Sequence, residues 1–167
     1  MRRPAAFFDR DGVLNRDTGF AHRIDELQLI DGAAAAVRRF NTAGWWVFVV
    51  SNQSGVARGY FDEAAVRGFN AALQQALATE DARIDAIYYC PHHPQGTIAA
   101  YARVCDCRKP KPGMLTRALA EWPVEVTRSL MIGDRPTDIE AATAAGLRGF
   151  LFGGGNLAEF CVRLGLP

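Results

Sequence analysis

Five short apolar runs punctuate the chain: AAFF at 5–8, WWVFVV at 45–50, IDAIYY at 84–89, SLMI at 129–132 and GFLF at 149–152. Each has the length of a buried strand, is rich in branched or aromatic residues, and lacks the alternation of a half-solvated one. The stretches between them read as helices. DGAAAAVRRFNTAG runs from Asp31, a capping residue, to Gly44, a common helix stop. FDEAAVRGFNAALQQALATED offers Asp62 as a cap and apolar residues at 66, 69, 73 and 77, one face of a helix. MLTRALAEW and TDIEAATAAG supply two more helices, and NLAEFCVRLG puts Leu157, Phe160, Cys161 and Leu164 on one stripe.

Strands alternating with helices predict βαβ units, hence an α/β fold with a Rossmann-like, doubly wound parallel sheet. The 167 residues suit one domain, 1–167, that buries about 70% of its unfolded surface. A net charge of +1 gives no global field to recruit nucleic acid or an anionic membrane. No apolar run approaches the ~20 residues needed to cross a bilayer. The N-terminus, MRRPAAFFDRDG, meets acidic residues too early for a secretory signal, so a cytoplasmic protein with reduced thiols is expected.

In a doubly wound sheet, ligands gather beyond the carboxyl ends of the strands. The first run ends FFDRDG, where Asp9 and Asp11, two apart on extended chain, face the same way and Arg10 faces elsewhere. The second ends VVSNQSG, bringing Ser51, Asn52, Gln53 and Ser54. The fourth ends MIGDRPTD, bringing Asp134 and, one turn on, Asp138. Three carboxylates at one crevice repel one another unless a cation sits among them, and an all-oxygen set suits Mg²⁺. One Asp could then act as nucleophile and a second, two residues away, as acid and base. Lys109, beside Arg108, would offset charge on a transferring phosphoryl group.

Each element has an ordinary structural explanation. D-R-D-G alone is a common turn, Ser51 a common strand-end residue and Lys109 a typical surface cation. An EF-hand loop is excluded because Val13 and Phe20 stand where acidic ligands are required. The weight lies in their joint occurrence at successive strand ends.

The densest chemistry lies at 88–113, YYCPHHPQGTIAAYARVCDCRKPKPG. Cys90, Cys105 and Cys107 with a histidine form a soft, four-ligand set, which suits a structural Zn²⁺ with no open position. Both His92 and His93 are within reach, and the spacing C-x-x-H would choose His93. A metal here would order a loop too long to be a quiet connection and hold Arg108 and Lys109 over the crevice. His22 reads as a loop residue, Cys161 as core, Gly153–Gly155 as a turn, and Trp45 and Trp46 as packing at the start of the second strand.

DRDGVLN, SNQSG, RKP and GDRPTD resemble the four motifs of the haloacid dehalogenase-like phosphatase superfamily, over about residues 5 to 152. YYCPHHPQG followed by CDCRKPKPGM, with IDGAAAAV, SNQSGVARG and DTGF, is similar to the D-glycero-D-manno-heptose 1,7-bisphosphate 7-phosphatases. The resemblance implies a small phosphosugar substrate and the synthesis of ADP-heptose, a precursor of lipopolysaccharide core. It makes Asp9 the nucleophile, Asp11 the acid/base, and Asp9, Asp134 and the Asp11 carbonyl the Mg²⁺ ligands. Ser51 and Lys109 would hold the phosphoryl group. Asp17, Thr18, Gly19, Phe20, Asn52, Gln53, Ser54, Arg108 and Arg135 would meet substrate. Cys90, His92, Cys105 and Cys107 would bind zinc, the resemblance choosing His92. It also implies that the zinc loop stands where relatives carry a cap domain, and a monomer is expected. Val13 departs from the usual motif threonine, Phe20 from a tyrosine and Arg135 from a lysine; the tail after Phe152 matches nothing in the pattern.

Two rival readings use the same residues. A histidinol-phosphate phosphatase shares the motifs and a similar zinc loop, although the 12 residues between His92 and Cys105 favour the heptose family. The other is a zinc-stapled interaction module without catalysis, against which the intact Asp9, Asp11 and Asp134 stand.

Overall fold

The computed structural model describes residues 1–167. Strands β1 (Ala5–Phe8), β2 (Trp46–Asn52), β3 (Ala86–Cys90), β4 (Leu130–Gly133) and β5 (Arg148–Leu151) form one sheet, in the order β3-β2-β1-β4-β5. Every pairing is parallel. The helices are α1 (Ala33–Thr42), α2 (Glu63–Ala78), α3 (Gly113–Glu121), α4 (Pro136–Ala144) and α5 (Leu157–Arg163).

Side chains alternate across a strand, so each strand feeds both faces. Ala6 and Phe8 join Val47, Val49, Leu130 and Ile132 in a core covered by residues of α1, α2 and α5, among them Phe40, Leu73 and Cys161. Ala5 and Phe7 join Phe48, Val50 and Met131 in a second core, closed by Met114, Leu115 and Ala118 of α3 and Ala141 and Ala142 of α4. This is the doubly wound sheet expected. Fully burying one Leu or Phe of this kind stabilises by about 1.5–3 kcal/mol.

The apolar face expected for α2 is fully internal, with Val66, Phe69, Leu73 and Leu77 all buried, and Asp62 caps it by accepting the Ala65 N–H at 2.9 Å. Asp31 does not cap α1. That position falls to Gly32, at φ 76°, while the Asp31 carbonyl accepts the Leu157 N–H at 2.8 Å. A Cβ at Gly32 would lie 2.0 Å from the Asn156 side chain, so the tail packs too closely to admit one. GFLF forms the edge strand β5 with Arg148 and Leu151 exposed, not a buried strand. β3 starts later than its apolar run because Asp85 turns back, its carboxylate accepting the Val47 N–H at 2.8 Å. Leu164 is exposed, whereas Leu157 and Cys161 of the tail stripe are buried and Phe160 packs on Phe152. No helix is long and apolar enough to cross a membrane.

The strand order turns around at β1. One crossover leads outward through β2 and β3, the other through β4 and β5, so the carboxyl ends of β1 and β4 flank a switch point.

Candidate active site

β1 ends immediately before Asp9, and β4 ends immediately before Asp134. Carboxylate oxygens of Asp9, Asp134 and Asp138 lie within 4.8 Å of one another. The chain approaches itself closely here. Gly12 has φ 86°, and a Cβ on it would fall 2.2 Å from Asp134 Oδ2, so both the turn and the contact require glycine.

Asp138 was placed at the strand end by sequence but given no role; the structure puts it at the centre. It sits in the first turn of α4, where its Oδ2 accepts the backbone N–H groups of Asp134 (3.1 Å) and Arg135 (3.0 Å). Its other oxygen meets Lys109 Nζ at 2.7 Å. Lys109 is buried and its three ammonium protons are all placed, on Asp9 (2.8 Å), Asp138 and the Val50 carbonyl (2.8 Å). Burial works against the Lys109 charge, but Asp9 and Asp138 outweigh it and hold the ammonium above its ordinary range. The Asp9 carboxyl is pushed up to about 7, by burial first; Lys109 opposes, while the Asp138 charge and the adjoining Asp134 carboxyl add to the rise.

Asp11 faces the same crevice, as its spacing from Asp9 predicts, but its carboxylate stands apart from the acidic cluster. Both oxygens accept hydrogen bonds: from Arg10 Nε (3.0 Å) and Nη2 (3.1 Å), Asn15 Nδ2 (2.9 Å) and Gln53 Nε2 (3.1 Å). Arg10 does turn away from the crevice. It is wholly buried, bonded to Asn70 and the Ala21 carbonyl, with its guanidinium 4.3 Å from the centre of the Phe69 ring.

The β2 end supplies positioning as much as contact surface. Asn52 exchanges two hydrogen bonds with the backbone of Lys109, donating to its carbonyl (3.1 Å) and accepting its N–H (3.0 Å). Gln53 donates to both Asp11 and Ser51 Oγ (2.8 Å). These amides brace the Lys109 backbone, Asp11 and Ser51 rather than point freely at a ligand.

A crevice of about 520 Å³ opens over this floor. Asp9, Asp11, Asp17, Gly19, Phe20, Asn52, Gln53, Ser54, Arg108, Lys109 and Arg135 all line it, as expected of them, together with Arg58 and Asp138. Ser51, almost entirely buried, and the half-buried Asp134 are not part of that lining. Thr18 is exposed and not part of it. Arg135 meets Asp17 across the opening at 3.3 Å.

Sequence reasoning also missed Arg58. The signal was a cation four residues beyond the SNQS segment, in a loop whose path only the fold reveals. Burial holds Arg108 below the ordinary guanidinium range, with Arg58 and Arg135 adding repulsion.

The oxygen cluster fits a divalent cation. Asp134 Oδ1 is buried and has no hydrogen-bond partner, which is costly for a carboxylate that binds nothing. Asp9, Asp134 and Asp138 together carry more acid than Lys109 alone neutralises.

The soft-ligand set gathers at the end of β3. The sulfurs of Cys90, Cys105 and Cys107 and a ring nitrogen of His92 lie within 4.8 Å of one another. Cys90 and Cys107 are each 3.5 Å from Cys105, and His92 Nδ1 is 3.6 and 3.3 Å from Cys90 and Cys107. The Cys90–Cys107 approach is tighter, 2.7 Å. Three thiols and an imidazole are donors that suit tetrahedral zinc. The choice between histidines falls to His92. His93 turns the other way, with Nδ1 accepting the Gln95 N–H at 3.0 Å and Nε2 3.3 Å from Arg58 Nη2. Cys107 is followed directly by Arg108 and Lys109, so the knot adjoins the crevice through the chain itself.

The HAD-hydrolase-like family model matches residues 106–159. A curated relative from Rhodopseudomonas palustris, named D-glycero-beta-D-manno-heptose-1,7-bisphosphate 7-phosphatase, is 48% identical over 95% of this chain and 88% of its own. A relative of the same name from Escherichia coli (strain K12) is 46% identical over 85% and 74%. The crystal structure of D,D-heptose 1.7-bisphosphate phosphatase from B. bronchiseptica, complexed with magnesium and phosphate, superposes with a TM-score of 0.80. That protein is 34% identical, and the match covers 98% of this chain and 88% of the other. The alignment with the first relative covers 159 of the 167 residues, so it extends past Phe152 and at least part of the tail belongs to the shared sequence. With the acids and lysine in place at the switch point and the soft-ligand knot at the end of β3, the chain is a phosphoric monoester hydrolase and belongs to the haloacid dehalogenase-like D-glycero-D-manno-heptose 1,7-bisphosphate 7-phosphatase family.

Proposed function

We propose that this enzyme removes the 7-phosphate of D-glycero-D-manno-heptose 1,7-bisphosphate through an aspartyl-phosphate at Asp9. The observation that carries the reading is the buried Asp9–Lys109–Asp138 array beside the unpartnered Asp134 oxygen, in a chain 48% identical to a phosphatase named for that substrate.

Asp9 attacks phosphorus, and the bond from phosphorus to the C7 oxygen breaks. Asp11, fixed by Arg10, Asn15 and Gln53, gives the departing oxygen a proton. It then takes one from the water that attacks the phosphoryl-aspartate, releasing inorganic phosphate and restoring Asp9. Lys109 holds Asp9 in place and offsets the phosphoryl charge, with the Ser51 hydroxyl behind it. Asp9, Asp134 and the main-chain carbonyl of Asp11 would hold Mg²⁺, which supplies charge neutralisation for the phosphoryl oxygens. Zinc on Cys90, His92, Cys105 and Cys107 would be structural, keeping Arg108 and Lys109 on station. The remaining crevice residues receive the sugar, among them Asp17, Gly19, Phe20, Ser54, Arg108 and Arg135. The proposal includes a monomeric, cytoplasmic enzyme serving ADP-heptose synthesis for the lipopolysaccharide core, with no nucleic-acid or membrane partner.

Steady-state phosphate release from the heptose bisphosphate and from histidinol phosphate tests this. The expected result is a higher kcat/KM for the heptose, lost on chelation and restored by Mg²⁺. A higher kcat/KM for histidinol phosphate would show the substrate assignment to be wrong.

A further inference from the structure

Of the cations in the crevice, Lys109 has a partner for every proton and Arg135 has Asp17. Arg58 and Arg108 have no carboxylate partner. Arg58 Nε and Arg108 Nη1 are both buried without a hydrogen-bond partner. Two guanidinium groups lining one cavity with unmet donors describe a place for an anion that is not a side chain of this protein. The reacting phosphoryl group belongs at the buried floor, beside Asp9 and Lys109. Arg58 stands at the mouth instead, its guanidinium carbon 5.8 Å from the centre of the Phe20 ring, next to exposed Gly59 and Tyr60. The anion it awaits is therefore at the far end of the substrate.

Arg58 is held for this through its backbone, and its side chain faces a second donor. Its backbone is stitched to the zinc loop: the N–H groups of Thr97 and Ile98 donate to the Ala57 carbonyl at 2.8 and 3.0 Å, and Thr97 Oγ1 donates to the Arg58 carbonyl at 3.1 Å. A Cβ on Gly96 would lie 2.7 Å from the Ala57 carbonyl oxygen, so the two strands of chain touch. At the side chain, a neutral imidazole can accept only one hydrogen bond. His93 Nδ1 accepts from Gln95, which assigns the ring proton to Nε2, facing Arg58 Nη2 at 3.3 Å. Two donors confront each other there, an arrangement that an anionic oxygen bridging both would satisfy.

We propose that Arg58 grips the second, non-reacting phosphate of the substrate, with His93 Nε2 donating to the same phosphate beside it. This rests on the bisphosphate reading above and extends it, assigning discrimination between bisphosphate and monophosphate to a residue outside the catalytic floor. The bridging oxygen links Arg58 and His93 to the same phosphate that Arg108 meets from the zinc loop.

The test compares kcat/KM for the heptose 1,7-bisphosphate and the heptose 7-phosphate in wild type, Arg58→Met, Arg58→Lys and His93→Phe, with melting temperature as the check on folding. Arg58→Met should lose about 10–100-fold more on the bisphosphate than on the monophosphate, chiefly through KM. Arg58→Lys should recover part of that difference, because the charge returns without the fork. His93→Phe should raise KM for the bisphosphate with a smaller change in kcat. Equal losses on both substrates, or none, overturn the inference and leave the phosphatase reading standing. If the wild type hydrolyses neither heptose, the substrate reading fails instead. The inference is then decided by inhibition of p-nitrophenyl phosphate turnover. Tighter inhibition by fructose 1,6-bisphosphate than by fructose 6-phosphate, abolished in Arg58→Met, upholds it; no such difference overturns it.

Discussion

The crevice and the cysteine–histidine knot are built in opposite ways. Asp9, Lys109 and Asp138 come from three distant parts of the chain and are locked by the core beneath them, with ion pairs of 2.7–2.8 Å already formed. Cys90, His92, Cys105 and Cys107 come from one local stretch, and three of the four are partly exposed. Apolar packing and internal salt bridges position the first group before any ion arrives. The second group sits at the margin of the core, Cys90 inside it and Cys105 and Cys107 packed against it, so a zinc ion would complete the ordering of a loop already tied to the sheet. Lys109 belongs to both regions: its backbone leaves the knot two residues after Cys107, and its ammonium ends in the crevice.

Breaking the crevice should cost most. Lys109→Met leaves two buried carboxylates without their counter-ion, and removal of one partner of a buried pair destabilises by about 3–5 kcal/mol. Turnover should fall by about 10²–10³-fold. Urea melts and initial rates check both; a variant with normal stability would mean that Asp9 and Asp138 find other partners.

Breaking the knot should cost less and act at a distance. Cys107→Ser, or extraction of zinc, should lower activity by about 10–100-fold while most of the sheet stays folded. Far-UV circular dichroism reads the sheet and rate measurements read the crevice. Added Zn²⁺ should restore the extracted wild type, whereas Mg²⁺ alone should not.

A gentler probe is pH. The Asp9 carboxyl is raised from 3.8 to about 7 in the fold. Between those values the folded protein binds a proton that the unfolded chain has released, so the Asp9 contribution favours folding at low pH and is lost as pH rises toward 7. Without divalent ions, stability should fall across that window more steeply in wild type than in Asp9→Asn. Mg²⁺ should flatten the wild-type slope. Melting temperatures from pH 4 to 7.5 (about the range the shift spans) provide the comparison.

The smallest effect belongs to the exposed link over the opening. Asp17→Asn removes the partner of Arg135 at 3.3 Å, a pair worth about 0–1 kcal/mol at a solvated surface. Thermal melts should show little change, and KM should move more than stability does.

Much of this was legible because parallel sheets bury continuous apolar runs, and strand ends in this topology point at the ligand. Asp9 and Asp134 were readable from that rule alone. Asp138 was visible but uninterpreted, since its value comes from Lys109 arriving from a segment 29 residues earlier in sequence. Which histidine joins the cysteines could not be read from spacing, because rotation of the chain after β3 decides it, and that rotation turns His93 toward Arg58. Asp31 failed as a cap because docking of the tail takes over the local geometry at Gly32. Asn52 and Gln53, expected to meet substrate, also brace Lys109 and Asp11, a role set wholly by tertiary packing.

The central claim is that Asp9 carries the phosphoryl group during turnover. Acid-quenching the Mg²⁺-loaded enzyme with heptose bisphosphate, followed by peptide mass analysis, should find a phosphoryl adduct on Asp9. Asp9→Asn should fold normally, carry no adduct and release no phosphate. An Asp9→Asn enzyme that keeps substantial turnover, or an adduct on another side chain, would contradict the account.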